Sequence, residues 1–324
     1  MNSLFSSFLE LPSSTSSGEL KALPLSAKRK DFLAKNENGA PIFLLHDSSE
    51  AKYNPGINFR HLSAEFHTTC RIHLGATILE DQFCLVGCDA AAPELYELFV
   101  RCVSAAIEEL PELSATRELE ACISRLGDLF RVLGQPSGRE ISGIWAELFV
   151  IAKCGNPAHA LTLWHDDQFD RFDFSSEIMC LEIKSTVRGL RAHEFALEQL
   201  HAPEGGEGFV VSILLQPLTG GLSVLDLARE VESSVISNSR LKQKIWQNVA
   251  KALGADFSDG LDRRFDPSSA TRSLAVYSMA DIPQPGTPND TRITALRFVS
   301  DLTSVTTSLV GTPATILARC FLAS

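Results

Sequence analysis

A chain of 324 residues, 44% hydrophobic and 21% charged, has the length and composition of a folded globular protein with one large domain or two ordinary ones. Its net charge of −11 argues against coating nucleic acid through bulk electrostatics, although a bound cation can invert the field locally. No apolar run approaches the roughly 20 residues of a membrane helix, and residues 1–20 lack a secretory pattern. The expectation is a cytoplasmic protein with no membrane contact.

Residues 1–20 are serine-rich and predict a loosely docked arm. Lys28-Arg29-Lys30 predicts a solvated basic surface. Strands are expected over 41–46, 57–72 and 79–88. His61, His67 and His73 fall among them, six residues apart, with no other ligand pattern to complete a metal site. They predict surface or strand-face histidines. Pro93 opens a helix with Leu95, Leu98, Phe99, Cys102 and Ile107 on one face. A second helix is expected over 114–133, with Ser114 as its cap. A soft boundary near residue 110 would separate an α+β unit of antiparallel strands, 21–110, from a larger domain, 111–324. The eight cysteines are scattered without a CxxC pair and predict buried free thiols.

The helix expected over 139–153 is strongly apolar, with Ile141, Ile144, Trp145, Leu148, Phe149 and Ala152. Glu147 therefore lies near its buried face, where a carboxylate costs free energy unless a cation, a metal or hydrogen-bond donors meet it. Gly143, one turn earlier, would let a backbone or ligand approach closely. Strands are expected over 160–164, 171–175 and 178–185, the last two joined by a tight turn at Ser175-Ser176-Glu177. Alternation along the last strand puts Glu182 and Lys184 on one face and Leu181 and Ile183 on the other. Asp173 projects opposite Phe172 and Phe174. Asp166, Asp167 and Asp170 are rivals for its role, but they sit in a loop-like run.

A basic loop with Arg188 and Arg191 follows, then a helix over 193–200 carrying His193 and Gln199. The apolar run 208–216 predicts a strand buried on both faces. Helices are expected over 222–236 and 239–253, the second bearing Arg240, Lys242, Lys244 and Lys251. Strands near 273–279 and 291–300 and a final helix from Pro313 to Cys320 complete the chain.

Two acids on neighbouring strands suit a divalent metal, and an adjacent lysine suits an anionic substrate. Asp173 and Glu182 would hold Mg²⁺ directly, with Mn²⁺ able to substitute, and the backbone carbonyl of Ile183 would add a further oxygen. Glu147 would complete a second metal position or hold a metal-bound water. Lys184 would orient the attacking water. Arg188, Arg191 and His193 would touch phosphates, and Gln199 would position Lys184 or the substrate. The bland alternative is a solvated Glu182–Lys184 pair with a satisfied helix acid at Glu147.

At these residues the chain resembles the PD-(D/E)XK nuclease superfamily, through Asp173, Glu182 and Lys184 across a hairpin, Glu147 in Gly143-Ile144-Trp145-Ala146-Glu147, and the downstream Gln199. Phe172 stands where the motif has proline. More narrowly, the chain resembles the motif proteins of bacterial phage-defence clusters. The resemblance spans residues 138–218. It implies an α/β restriction-endonuclease-like core, a mixed central sheet flanked by helices, and Mg²⁺-dependent cleavage of DNA beside ATPase or helicase-like partners. A homodimer is also possible on this reading. The alternative it leaves open is a catalytically inactive subunit that keeps the fold and binds DNA or a partner.

Overall fold

The computed structural model describes residues 4–14, 19–50, 54–74, 77–135, 140–166, 170–286, 292–293 and 295–322. Asp167, Thr291 and parts of the expected arm lie outside these. Packing divides the chain into two units, Met1–Ser137 with Leu253–Ser258, and Gly138–Ala252 with Asp259–Ser324.

The first unit begins with helix α1 (Leu4–Leu9), whose Phe8 is buried edge-on against Tyr96. Strands β1 (Glu19–Pro24), β2 (Phe32–Lys35), β3 (Pro41–His46), β4 (Ile57–Asn58), β5 (Leu62–Leu74) and β6 (Thr77–Cys88) follow. They pair in the order β1-β2-β3-β6-β5-β4, antiparallel throughout. In addition β1 pairs with β5 in parallel, Leu20 opposite Ile72, which closes a ring of five strands. Leu20, Phe32, Leu44, Cys70, Ile72 and Phe83 fill one cluster of its core. Helices α2 (Tyr96–Ile107) and α3 (Thr116–Val132) bury the stripes their spacing predicts.

Three local expectations fail here for physical reasons. Arg29 is not solvated: its guanidinium pairs with Asp31 and donates to Ser114 Oγ and the Pro111 carbonyl. Ser114 is thereby taken from capping, and α3 starts one residue later, with Glu118 accepting from the Ala115 amide at 3.1 Å. His61, just before β5, is buried with Nδ1 3.5 Å from Asp89 and is neither a surface nor a strand-face residue, whereas His67 and His73 lie on β5 as expected, His67 with Nδ1 3.6 Å from Asp47.

The second unit is built on helix α4 (Ile141–Lys153) and a mixed sheet. Helix α5 (Pro157–Leu163) precedes strands β7 (Phe174–Ser175), β8 (Met179–Thr186), β9 (Ala192–Ala196), β10 (Glu207–Leu214) and β11 (Pro217–Ser223). Helices α6 (Val224–Ser233), α7 (Ser239–Leu253) and α8 (Phe257–Asp262), strand β12 (Arg264–Phe265), helix α9 (Pro267–Ser273), strands β13 (Ala275–Ser278) and β14 (Arg297–Asp301), and helix α10 (Pro313–Cys320) follow. The sheet runs β13-β10-β8-β7. Its centre, β8 beside β10, is parallel over eight pairs from Met179↔Glu207 to Thr186↔Leu214. Its edges are antiparallel. Phe209, Val210, Val211, Ser212 and Ile213 are all buried, as a central strand with both faces covered requires. Helix α4 packs on β8 and on α6 and is buried nearly all round, which its unbroken apolar run dictates. This is the mixed, helix-flanked α/β architecture expected from the sequence.

Two elements differ in type. Residues 160–163 belong to α5 instead of a strand, because Asn156 caps the His159 amide at 3.2 Å and Pro157 occupies the first turn, and only Trp164 is extended, in a single antiparallel bridge to Phe174. Residues 192–196 form β9 instead of a helix, paired with β14 through Phe195↔Phe298. All eight cysteines are buried free thiols. Burial pushes Cys70 and Cys180 up to about 11, which makes them inert at neutral pH.

Candidate active site

Glu147 sits midway along α4, 4% exposed, among apolar neighbours that would leave its charge unsolvated. Donors meet it instead. Trp164 Nε1 donates to Glu147 Oε2 at 2.8 Å, and His165 Nε2 lies 3.0 Å from the same oxygen. Both donors come from the two residues that follow α5.

Asp173 is 7% exposed and sits just before β7. Its Oδ2 accepts the Ile183 amide at 2.7 Å, and its carbonyl accepts the His165 amide at 2.9 Å. One strand edge carries both the N–H and the C=O of a residue. The Ile183 carbonyl therefore faces the same edge as Asp173. Asp166 and Asp170 stay in the preceding loop, tied by the Asp166 amide to Asp170 Oδ2 at 3.0 Å.

Glu182 and Lys184 share a face of β8. Lys184 Nζ is 2.8 Å from Glu182 Oε1 and 5.2 Å from the centre of the Phe195 ring. Gln199 occupies a single 3-10 turn after β9 and still reaches the pair. Its Nε2 donates to Glu182 Oε1 at 2.6 Å, and its Oε1 is 3.4 Å from Lys184 Nζ and accepts the Ala196 amide at 3.1 Å. The bland picture of a solvated pair does not hold, since Glu182 is only 4% exposed.

The structure thus brings the five predicted residues Glu147, Asp173, Glu182, Lys184 and Gln199 into two adjoining groups. Glu147 and Asp173 lie in one, Glu182, Lys184 and Gln199 in the other, and the Asp173–Ile183 bond joins them.

Two of the three residues expected to touch phosphate do not project outward. The Arg191 guanidinium donates to Ser212 O and Ser212 Oγ, each at 2.8 Å, and to the Ser273 carbonyl. His193 is 4% exposed with Nε2 2.7 Å from Ser212 Oγ. Burial first, then the charges of Lys184 and Arg191, push its pKa down to about 4, so the ring is neutral at pH 7. Arg191 and His193 hold β9 to β10. Arg188 alone of the three is exposed.

His165 was not picked out by the sequence. The only signal was its place directly after Trp164 and before the aspartate run. Its ring, Glu147 and Asp173 each offer a ligand atom within 4.8 Å of the others, and among the described residues no other such cluster is found. Helix α7 fixes this segment. Lys244 Nζ donates to the Trp164 carbonyl, Asn248 Nδ2 to that of His165 at 3.0 Å, and Lys251 Nζ to that of Asp166 at 2.7 Å. These three residues are spaced four and three apart on one helix face.

Two buried carboxylates beside an imidazole form a donor set that fits a divalent cation. Glu147, Asp173 and His165 are the side chains that would hold it, with the Ile183 carbonyl on the same edge.

The profile of a family described as "Putative PD-(D/E)XK family member" (DUF4420) matches residues 6–303, far beyond the 138–218 over which the motifs lie. No curated protein and no solved structure matches the chain.

Proposed function

This chain belongs to the PD-(D/E)XK family DUF4420, and from that premise we propose that it is a metal-dependent endonuclease hydrolysing phosphodiester bonds in DNA, in a restriction-like phage-defence system. The observation that carries the reading is the 2.7 Å bond from the Ile183 amide to Asp173 Oδ2, which seats one acid against the strand bearing Glu182 and Lys184. A bound Mg²⁺ or Mn²⁺ would neutralise non-bridging phosphate oxygens and acidify a water. Lys184 would orient that water and offset phosphate charge. Gln199 keeps Lys184 and Glu182 in register, with one amide touching both. Arg188, exposed in the loop after β8, would meet a flanking phosphate. ATPase or helicase-like partners and a homodimer belong to the same proposal.

One observation favours a second reading, a non-cleaving subunit that binds DNA or a partner. Glu182 Oε1 is already taken by Lys184 at 2.8 Å and Gln199 at 2.6 Å.

The test is cleavage of modified and unmodified phage DNA with Mg²⁺ or Mn²⁺, with and without the products of neighbouring genes. Cutting by the wild type, lost by at least about 100-fold in Lys184→Met and Asp173→Asn with circular dichroism unchanged, supports the nuclease. Absence of cutting under every condition, with DNA or partner binding retained, selects the second reading.

A further inference from the structure

We propose that Glu147, His165 and Asp173 form a mixed nitrogen–oxygen cation site that takes a first-row transition ion, in the series Mn²⁺ to Zn²⁺, in preference to Mg²⁺. The proposal rests on reading this region as a metal site, and it names the ion class and a ligand that the motif residues do not include.

Geometry comes first. Three separate segments converge: α4 brings Glu147, the turn after α5 brings His165, and the approach to β7 brings Asp173. All three side chains are buried, at 4%, 7% and 7% exposure. Metal–ligand bonds of about 2.0–2.2 Å keep donor atoms within about 4.4 Å of one another. Their present limit of 4.8 Å therefore needs only a small contraction.

His165 is also held as a ligand should be. Its amide is bonded to the Asp173 carbonyl at 2.9 Å, so two of the three donors are neighbours across a backbone pairing. Lys244, Asn248 and Lys251 anchor three successive carbonyls, 164 to 166, to one face of α7. Trp164 Nε1 supports Glu147 from outside the triad at 2.8 Å, as an outer-shell donor orients a ligating carboxylate. For His165 to serve as a ligand through Nε2, the proton it turns toward Glu147 would sit on Nδ1 instead, leaving the Nε2 lone pair for the ion.

Glu182 is placed differently. Lys184 and Gln199 hold its Oε1, so the acid that completes the triad is Glu147.

Chemistry then sets the preference. Mg²⁺ demands near-octahedral oxygen ligation and parts with water reluctantly. An imidazole donor suits the transition ions, whose affinity rises from Mn²⁺ toward Cu²⁺.

The test titrates Co²⁺ and, in competition, Mg²⁺ into the full chain, read by calorimetry and by the visible absorption of bound Co²⁺. Wild type should bind Co²⁺ at least about tenfold more tightly than Mg²⁺. His165→Ala should lose Co²⁺ affinity by about 10–100-fold, and Glu182→Gln by under about threefold. His165→Asp, an all-oxygen site, should narrow the Co²⁺-to-Mg²⁺ ratio and shift the spectrum. It also serves if His165→Ala fails to fold by circular dichroism. Unchanged affinity and spectrum in both His165 variants, or loss only in Glu182→Gln, overturns the proposal. If His165→Ala keeps wild-type Co²⁺ affinity and still cuts DNA with Mg²⁺, this inference fails and the nuclease reading stands. If Co²⁺ binds as described and no DNA is ever cut, the reverse holds.

Discussion

His193 shows how a residue chosen for its chemistry can serve the fold instead. A histidine beside Lys184 suggests phosphate contact, yet its ring is sealed against Ser212, and burial with two cations nearby lowers its pKa to about 4. The unfolded value is near 6.5, so between pH 6.5 and 4 the unfolded chain binds a proton that the folded chain refuses. The stability is fully present above pH 6.5 and falls as pH drops toward 4, by about 3 kcal/mol at the lower limit. His193→Gln should remove this part of the slope. Urea denaturation of both proteins at pH 7 and pH 5 checks it. The wild type should lose about 2 kcal/mol more than the variant over that interval. Equal losses would show that His193 titrates normally. His61, also lowered chiefly by burial, titrates in both proteins and cancels in the difference. The carboxyls of Asp226 and Asp281 are held below their usual range and contribute only at lower pH.

Elements carry both what could be read in advance and what could not. The Glu182–Lys184 relationship needed only the period of two along an unambiguous strand, and the buried stripe of α4 needed only its run of apolar residues. Residues 192–196 misled because His193-Glu194-Phe195-Ala196 has good helix formers. What decides their state is pairing with β14, about a hundred residues away, and such pairing overrides local propensity. Helix α5 was legible through Asn156-Pro157, a cap followed by a first-turn proline, and the signal was outweighed by the apolar run after it. His165 had only its place between Trp164 and the aspartate run as a signal, because its neighbours in space come from α4 and from the approach to β7. Glycine gives a test at this scale. A Cβ on Gly206 would lie 2.5 Å from the Ile178 carbonyl oxygen, which accepts the Glu207 amide at 2.9 Å where β10 joins β8. Backbone cannot swing aside there, so Gly206→Ala should cost about 1–3 kcal/mol. A Cβ on Gly143 meets nothing within 4 Å, so no other backbone among the described residues makes the close approach expected there, and the space beside it is open to a ligand. Gly143→Ala should therefore stabilise α4 by about 0.5–1 kcal/mol, through helix propensity alone. Thermal denaturation of the pair separates the two cases, and a shift of the same sign in both would contradict the packing argument.

For the whole molecule, charge decides how DNA could be held. With 29 basic against 40 acidic residues, the chain has no excess cation with which to grip a long stretch of backbone. Two of its candidate phosphate contacts are also spent: Arg191 on Ser212 and Ser273, His193 on Ser212. What remains near the site is a loop in which Arg188 stands between Val187 and Leu190, more than half exposed at 54% and 56%. An arginine flanked by open apolar side chains suits one phosphate and the bases beside it. DNA affinity, if the chain binds alone, should then fall only gently with salt. The logarithmic slope should be shallower than about −4, against about −0.9 for each phosphate neutralised. Arg188→Ala should make that slope shallower by about 1 on every duplex tested, since a phosphate contact carries no sequence information. Fluorescence anisotropy with Ca²⁺ in place of a cleaving cation, over a series of salt concentrations, measures this. An unchanged slope in Arg188→Ala would remove the last sequence-predicted phosphate ligand and shift DNA binding to a partner protein.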